Sequence, residues 1–215
     1  MNLSPLLVLT DRRLTGPEHL AKAIRGAVEG GATAFVLREK DLPSEERYRL
    51  GATLKAVMGP ASLIVASDLH LACRLGARGV QLAAADPWEP VNDGFIVGRS
   101  CHDTAELRRA AHTGADYVTL SPIFPTSSKP GVQPLGPDRL AALIAELPEV
   151  PPVYALGGIG PGRIRPCLEA GCAGVAVMGA VMKAEDPAGV VRELLEELAR
   201  GVRLSSGGGW GDGLR

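Results

Sequence analysis

The stretch Arg163-Ile164-Arg165-Pro166-Cys167-Leu168-Glu169-Ala170-Gly171-Cys172-Ala173-Gly174-Val175-Ala176-Val177-Met178-Gly179 contains one full repeat of the fold. Its first part, 163–170, is amphipathic and helix-compatible. Gly171-Cys172-Ala173-Gly174 then sets glycine just past a helix end and just before a strand, the chemistry of an αβ turn. Gly174–Met178 is a short apolar, β-branched run of the kind that forms a buried strand. Gly30-Gly31-Ala32 and Gly76-Ala77-Arg78-Gly79 repeat the same punctuation, as does the His112–Asp116 segment around Gly114.

Working outward, strands are expected at Leu6–Leu9, Thr33–Leu37, Ser62–Ala66, Gly79–Leu82, Phe95–Gly98, Tyr117–Leu120, Pro152–Ala155 and Gly174–Met178. Between them lie helix-compatible segments at Glu18–Glu29, Ser44–Met58, Leu69–Leu75, Thr104–His112, Pro137–Glu146, Arg163–Ala170 and Pro187–Ala199. Eight alternating units predict an α/β chain folded as a single (β/α)8 TIM barrel over residues 1–204. The fourth unit is the irregular one, because Pro87 and Pro90 leave room for two helical turns at most between Asp86 and Gly94. An open doubly wound sheet is the alternative architecture. Residues 205–215, rich in glycine and serine, read as a flexible tail.

The 215 residues are 46% hydrophobic, enough for one sizeable core, and 23 basic against 24 acidic side chains leave a net charge of −1. That balance gives no reason to expect nucleic acid or an anionic membrane as partner, so a bound anion must be held locally. Met1–Asp11 lacks the basic segment and the length of a signal peptide or a membrane span. Cys73, Cys101, Cys167 and Cys172 show neither CxxC spacing nor a paired histidine cluster. A cytoplasmic enzyme is expected, and a homo-oligomer is left open.

In such a barrel, chemistry gathers on the segments that follow the strand C-termini. Those segments are Arg38-Glu39-Lys40-Asp41, Ser67-Asp68, Asp86, Ser100-Cys101-His102, the hydroxyl-rich loop Ser121–Gly131, Gly157-Gly158-Ile159 and Met178-Gly179-Ala180. Glycines after the seventh and eighth strands let backbone N–H groups approach a phosphate monoester. Arg38, Lys40 and Lys129 supply cations for a more highly charged phosphate group. Asp68 and Asp86 make sense beside it if Mg2+ bridges them, since magnesium favours one or two carboxylates plus substrate phosphate oxygens. The histidines lack metal-ligand spacing, and none is assigned as a catalytic base.

At these loops the chain resembles the thiamine-phosphate synthases, from Leu7 to about Leu198. The pieces are Leu9-Thr10-Asp11-Arg12, Leu37-Arg38-Glu39-Lys40-Asp41, Ser67-Asp68, Gly79-Val80-Gln81-Leu82 with Asp86, Gly98-Arg99-Ser100-Cys101-His102, Gly114-Ala115-Asp116-Tyr117, Pro122–Lys129, Gly157-Gly158-Ile159 and Gly174–Val177. The resemblance implies joining of hydroxymethylpyrimidine diphosphate to hydroxyethylthiazole phosphate with release of pyrophosphate. On it, Arg38, Lys40, Lys129 and Ser100 act on the leaving pyrophosphate. Asp68 and Asp86 hold Mg2+, Ser67 lies on the pyrimidine diphosphate side, and Thr126, Ser128, Gly158, Met178 and Gly179 hold the thiazole phosphate. Val36, Ser67 and Ala84 depart from the family's usual glutamine, asparagine and glutamine, all on the pyrimidine side. The resemblance therefore also admits a thiazole tautomerase, or a silent barrel that binds thiazole phosphate without turnover.

Overall fold

A computed structural model describes residues 3–16, 18–88, 91, 94–147 and 149–206, with the backbone path alone for 202–206. Eight parallel strands close in sequence order into a barrel: β1 (Leu6–Leu9), β2 (Ala34–Leu37), β3 (Ser62–Ala66), β4 (Gly79–Leu82), β5 (Ile96–Cys101), β6 (Tyr117–Leu120), β7 (Val153–Leu156) and β8 (Gly174–Val177). Pairing of β1 with β8, Leu7 opposite Ala176, completes the circle and rules out the open sheet. Almost every strand residue is buried, which is why the strands read as continuous apolar runs: one face meets the barrel interior and the other the helices.

The surrounding helices are α1 (Arg12–Thr15), α2 (Leu20–Glu29), α3 (Ser44–Met58), α4 (Leu69–Arg74), α5 (Thr104–His112), α6 (Gly136–Ala145), α7 (Ile164–Glu169), α8 (Gly179–Met182) and α9 (Pro187–Ser206). The αβ turns follow the expected chemistry: Gly31, Gly76, Gly114 and Gly171 all take positive φ, a conformation costly for a residue with Cβ. The last helix runs two residues past the expected domain boundary at 204, and 207–215, the rest of the expected tail, lie outside the described residues. Among the described residues no helix is long and apolar enough to cross a membrane.

Register decides what reaches the barrel mouth. Paired residues of parallel strands share a face, so Leu9, Val36 and Ile64 form one inward row. Ala66, Gln81 and Gly98 form a second, and Ser100, Thr119 and Tyr154 a third. Tyr117 and Tyr154 meet edge to face inside, with centroids 5.4 Å apart. Strand β5 continues to Cys101, three residues beyond the expected end at Gly98, and so carries Ser100 to the rim as part of the sheet.

The fourth unit differs from the other seven. Among its described residues between β4 and β5 there is no helix. The outer faces of the two strands, Val80, Leu82 and Val97, form a small cluster of their own, packed by Leu69, Val91 and Phe95. A guanidinium organises the turn instead: Arg99, 4% exposed, donates through one nitrogen to the carbonyls of Ala83 at 3.1 Å, Ala84 at 3.3 Å and Asp86 at 2.7 Å.

Candidate active site

Two ends of the barrel mouth are built by different means. The loops after β6, β7 and β8 enclose a cavity of about 350 Å3, lined among others by Arg38, Thr126, Ser128, Lys129, Gly158 and Gly179. The β6 loop is stitched to the end of β7 by backbone hydrogen bonds, Ile123 N–H to the Leu156 carbonyl at 3.0 Å and Phe124 N–H to that of Gly157 at 2.9 Å. This close approach demands glycine. A Cβ on Gly158, at φ 66°, would lie 2.6 Å from the Pro125 carbonyl oxygen and 2.8 Å from Phe124 Cβ. Arg163 seals the outer side, donating to the Gly158 carbonyl at 2.8 Å and stacking 5.2 Å from the Phe124 ring.

Five expected binding residues thus meet in one cavity: Thr126, Ser128, Gly158, Met178 and Gly179, joined by Arg38 and Lys129. One further cation lines it that the sequence reading missed. Lys183, at the end of α8, donates to Ser127 Oγ at 3.3 Å and so links the eighth unit to the sixth loop.

On the other side, the extended β2 loop alternates its charges. Glu39, whose side chain is 1% exposed, accepts from the backbone and guanidinium of Arg12, and Arg12 also makes a two-bond pair with Asp41 at 2.9 and 2.8 Å. This clips α1 to the loop and leaves Arg38 and Lys40, the alternate residues, for the mouth. Arg38 is steered by Asp11, 3.5 Å away, while its own N–H donates to Thr10 Oγ1 at 3.0 Å. Lys40 Nζ donates to Ser67 Oγ at 2.6 Å. Burial pulls the Lys40 ammonium below the ordinary lysine range, opposed by Asp86.

Ser67 sits in the left-handed region at φ 55° without being glycine, a conformation asparagine tolerates better than serine. Asp68 caps α4, Oδ1 accepting from Leu71 N–H at 2.8 Å, and its other oxygen lies 3.6 Å from the buried Arg47. Asp86 Oδ2 accepts from Ala83 N–H at 2.7 Å. Burial pushes the Asp86 carboxyl up, but the Ser67 hydroxyl, the Ala83 N–H and the charges of Lys40 and Arg99 outweigh it and hold the group below its usual range. Ser67 and Asp86 border a second, smaller cavity of about 170 Å3, walled by Leu69, Val80, Leu82 and Val97, and not the main one.

Ser100 also stands apart from the main cavity. Its hydroxyl accepts from Gln81 Nε2 at 3.1 Å and from Thr119 Oγ1 at 3.4 Å inside the barrel. Val36 is buried in the inward row beside Leu9, and Ala84 contributes its carbonyl to Arg99. Two of the three departures from the family pattern are thus built into the packing. The donor set suits a hard cation: Asp68 and Asp86 present oxygens only, each with lone pairs beyond its one N–H partner. Among the described residues no group of three or more metal-binding side chains assembles.

A closed eight-stranded barrel with cations and a glycine-built cavity at the C-terminal ends of its strands defines a phosphate-handling (β/α)8 enzyme scaffold. The family model described as thiamine monophosphate synthase matches residues 6–181, and the chain belongs to that family. A thiamine-phosphate synthase of Pyrococcus furiosus is 37% identical over 205 residues, 93% of this chain and 95% of that one. One of Bacillus velezensis is 34% identical over 186 residues, 82% and 83% of the two chains. The solved structure of the thiamine phosphate pyrophosphorylase of Pyrococcus furiosus superposes with a TM-score of 0.79 at 34% identity, covering 92% of this chain and 96% of that one.

Proposed function

We propose that the chain joins hydroxymethylpyrimidine diphosphate to hydroxyethylthiazole phosphate, forming thiamine phosphate and pyrophosphate. The observation that carries this reading is the single cavity in which the glycine-built wall at Gly157 and Gly158 faces Lys129 and Arg38. A monoester phosphate fits the first and a developing diphosphate charge fits the second.

In the reaction the C–O bond to the diphosphate breaks, its electron pair leaves with pyrophosphate, and the thiazole nitrogen forms the new C–N bond at the same methylene carbon. The protein's work is to hold two substrates in line and to stabilise the leaving charge. Lys129 and Arg38 do the latter from the cavity, and Lys40 from the β3 side. Thr126, Ser128, Gly158 and the Met178–Gly179 backbone hold the thiazole phosphate. Ser100, ordered by Gln81 and Thr119, offers a hydroxyl beneath the reacting groups. Mg2+ held by Asp68 and Asp86 would neutralise diphosphate charge. The four thiols are unpaired, in keeping with a reducing cytoplasm.

The test is a turnover assay with both precursors, with and without Mg2+, that measures thiamine phosphate and pyrophosphate together. Equal, metal-dependent yields of the two products are expected. Absence of both products at saturating precursors would refute the reading.

A further inference from the structure

Lys129 does not stand alone on the sixth loop. Its Nζ lies 2.7 Å from His102 Nε2 and 3.3 Å from Ser121 Oγ. The other ring nitrogen of His102 lies 2.8 Å from Glu106 Oε2, and the same carboxylate oxygen accepts the His102 backbone N–H at 2.8 Å. Glu106 is itself held in the first turn of α5, where its N–H donates to the N-cap Asp103 at 2.8 Å. A carboxylate, an imidazole, an ammonium and a buried hydroxyl thus form one continuous chain that ends in the cavity.

The order of donors follows from chemistry. An ammonium has three N–H donors and no acceptor, so the nitrogen facing it must offer a lone pair. Nε2 is therefore unprotonated, the proton sits on Nδ1, and Nδ1–H donates to Glu106. This is the pattern in which a carboxylate fixes the tautomer and orientation of a functional imidazole. With one N–H taken by His102 and another by Ser121, the third is left for the cavity. A lysine on a flexible four-carbon stem would otherwise sample many directions.

We infer that His102, its tautomer set by Glu106, is a positioning residue that aims the Lys129 ammonium at the departing pyrophosphate. The inference rests on the proposed reaction for its kinetic consequence, but not for its geometry. Sequence alone could not suggest it, because His102 and Lys129 are separated by the whole sixth unit, and the four-residue spacing of His102 and Glu106 suggests only a solvated helix start.

Two measurements on the full chain test it. In 15N-histidine spectra, with the His102 signal assigned by its loss in His102→Gln, Nδ1 is expected to carry the proton and Nε2 to be bare; the reverse tautomer overturns the inference. In turnover, His102→Ala is expected to lower kcat by about ten- to a hundredfold, the scale for losing a residue that orients a functional group, while leaving KM for thiazole phosphate within about twofold. His102→Gln, whose carbonyl oxygen can accept from the ammonium, should recover part of the loss. In a Lys129→Ala background, His102→Ala should cost nothing more. Additive losses, or no recovery with Gln, overturn it. Should the wild-type chain make no product, the proposed reaction falls. The inference is then decided by the tautomer and by inorganic pyrophosphate affinity, which His102→Ala must weaken only when Lys129 is present.

Discussion

The two halves of the barrel mouth solve the same problem, anion binding, with different materials. Behind β6, β7 and β8 the wall is backbone: glycines at φ 97° and 66° let one loop lie against the next, and the phosphate side depends on space and N–H groups. Between β2 and β4 the work is done by side chains that hold one another, Arg12 with Glu39 and Asp41, Lys40 with Ser67, Asp68 with Arg47. The backbone half tolerates few residue types at few positions. The side-chain half can change one partner and shift its neighbours, and all three departures from the family pattern fall there. Binding of the inert phosphate and stabilisation of the leaving group are thus assigned to separable structures.

The sharpest test of that separation is Lys129→Ala beside Asp86→Ala. Each should cut kcat by about ten- to a thousandfold, as when an electrostatic contact to developing charge is lost, and leave KM for thiazole phosphate nearly unchanged. Steady-state kinetics with each substrate varied decides it, and equal damage to that KM would erase the division.

Gly158→Ala should do the opposite. A Cβ there meets the Pro125 carbonyl and Phe124 in a backbone region that costs an L-residue about 1–2 kcal/mol before any clash. Overpacking adds about 1–3 kcal/mol. KM for thiazole phosphate is expected to rise by about a hundredfold, at roughly 1.4 kcal/mol per decade. A KM unmoved by the methyl would mean that the glycine wall does not hold the phosphate.

The side-chain half should also show itself in pH. Burial pulls both Lys40 and Lys129 below the ordinary lysine value of 10.5, so their charge is lost earlier than a free lysine's and activity should fall as pH rises through that lowered range. The buried thiols move the other way, Cys101 pushed up to about 12 and Cys167 to about 11. Their folded values exceed the unfolded ones. The stability they contribute is therefore full below the ordinary thiol range and is lost as pH climbs toward those values. Circular dichroism at each pH separates the two, and an activity limb that coincides with unfolding would remove the lysine explanation.

The smallest effect belongs to Ser67→Asn. Asparagine is several-fold enriched at positive φ, and its side-chain oxygen can still accept from Lys40, so a gain of up to about 1 kcal/mol is expected in denaturant unfolding. A loss would show that the serine hydroxyl matters more than the strain.

Much of this was legible in the sequence because burial writes plainly. All eight strands were found from apolar runs, and Gly157, Gly158 and Lys129 from their places after strands. What stayed hidden is what depends on distance in space. Arg12–Thr15 and Gly179–Met182 are too short to show a helical period, and both sit where the eye sees only loop. The inward hydroxyl set of Gln81, Ser100 and Thr119 needs the barrel register to assemble. Lys183 reads as an ordinary charge until α8 folds it over Ser127. The separation of Ser67 and Asp86 from the main cavity is likewise a matter of which strand face each follows.

The arginine in the irregular fourth unit has a consequence for how this chain can vary. Because Arg99 holds three successive carbonyl groups between Ala83 and Asp86 from the neighbouring strand, the geometry of that turn is fixed before the crossover begins. Whatever follows Asp86 is mechanically uncoupled from it. The crossover is therefore the place where evolution, or a designer, can insert, delete or graft a segment without retuning the mouth of the barrel, as long as position 99 keeps its fork.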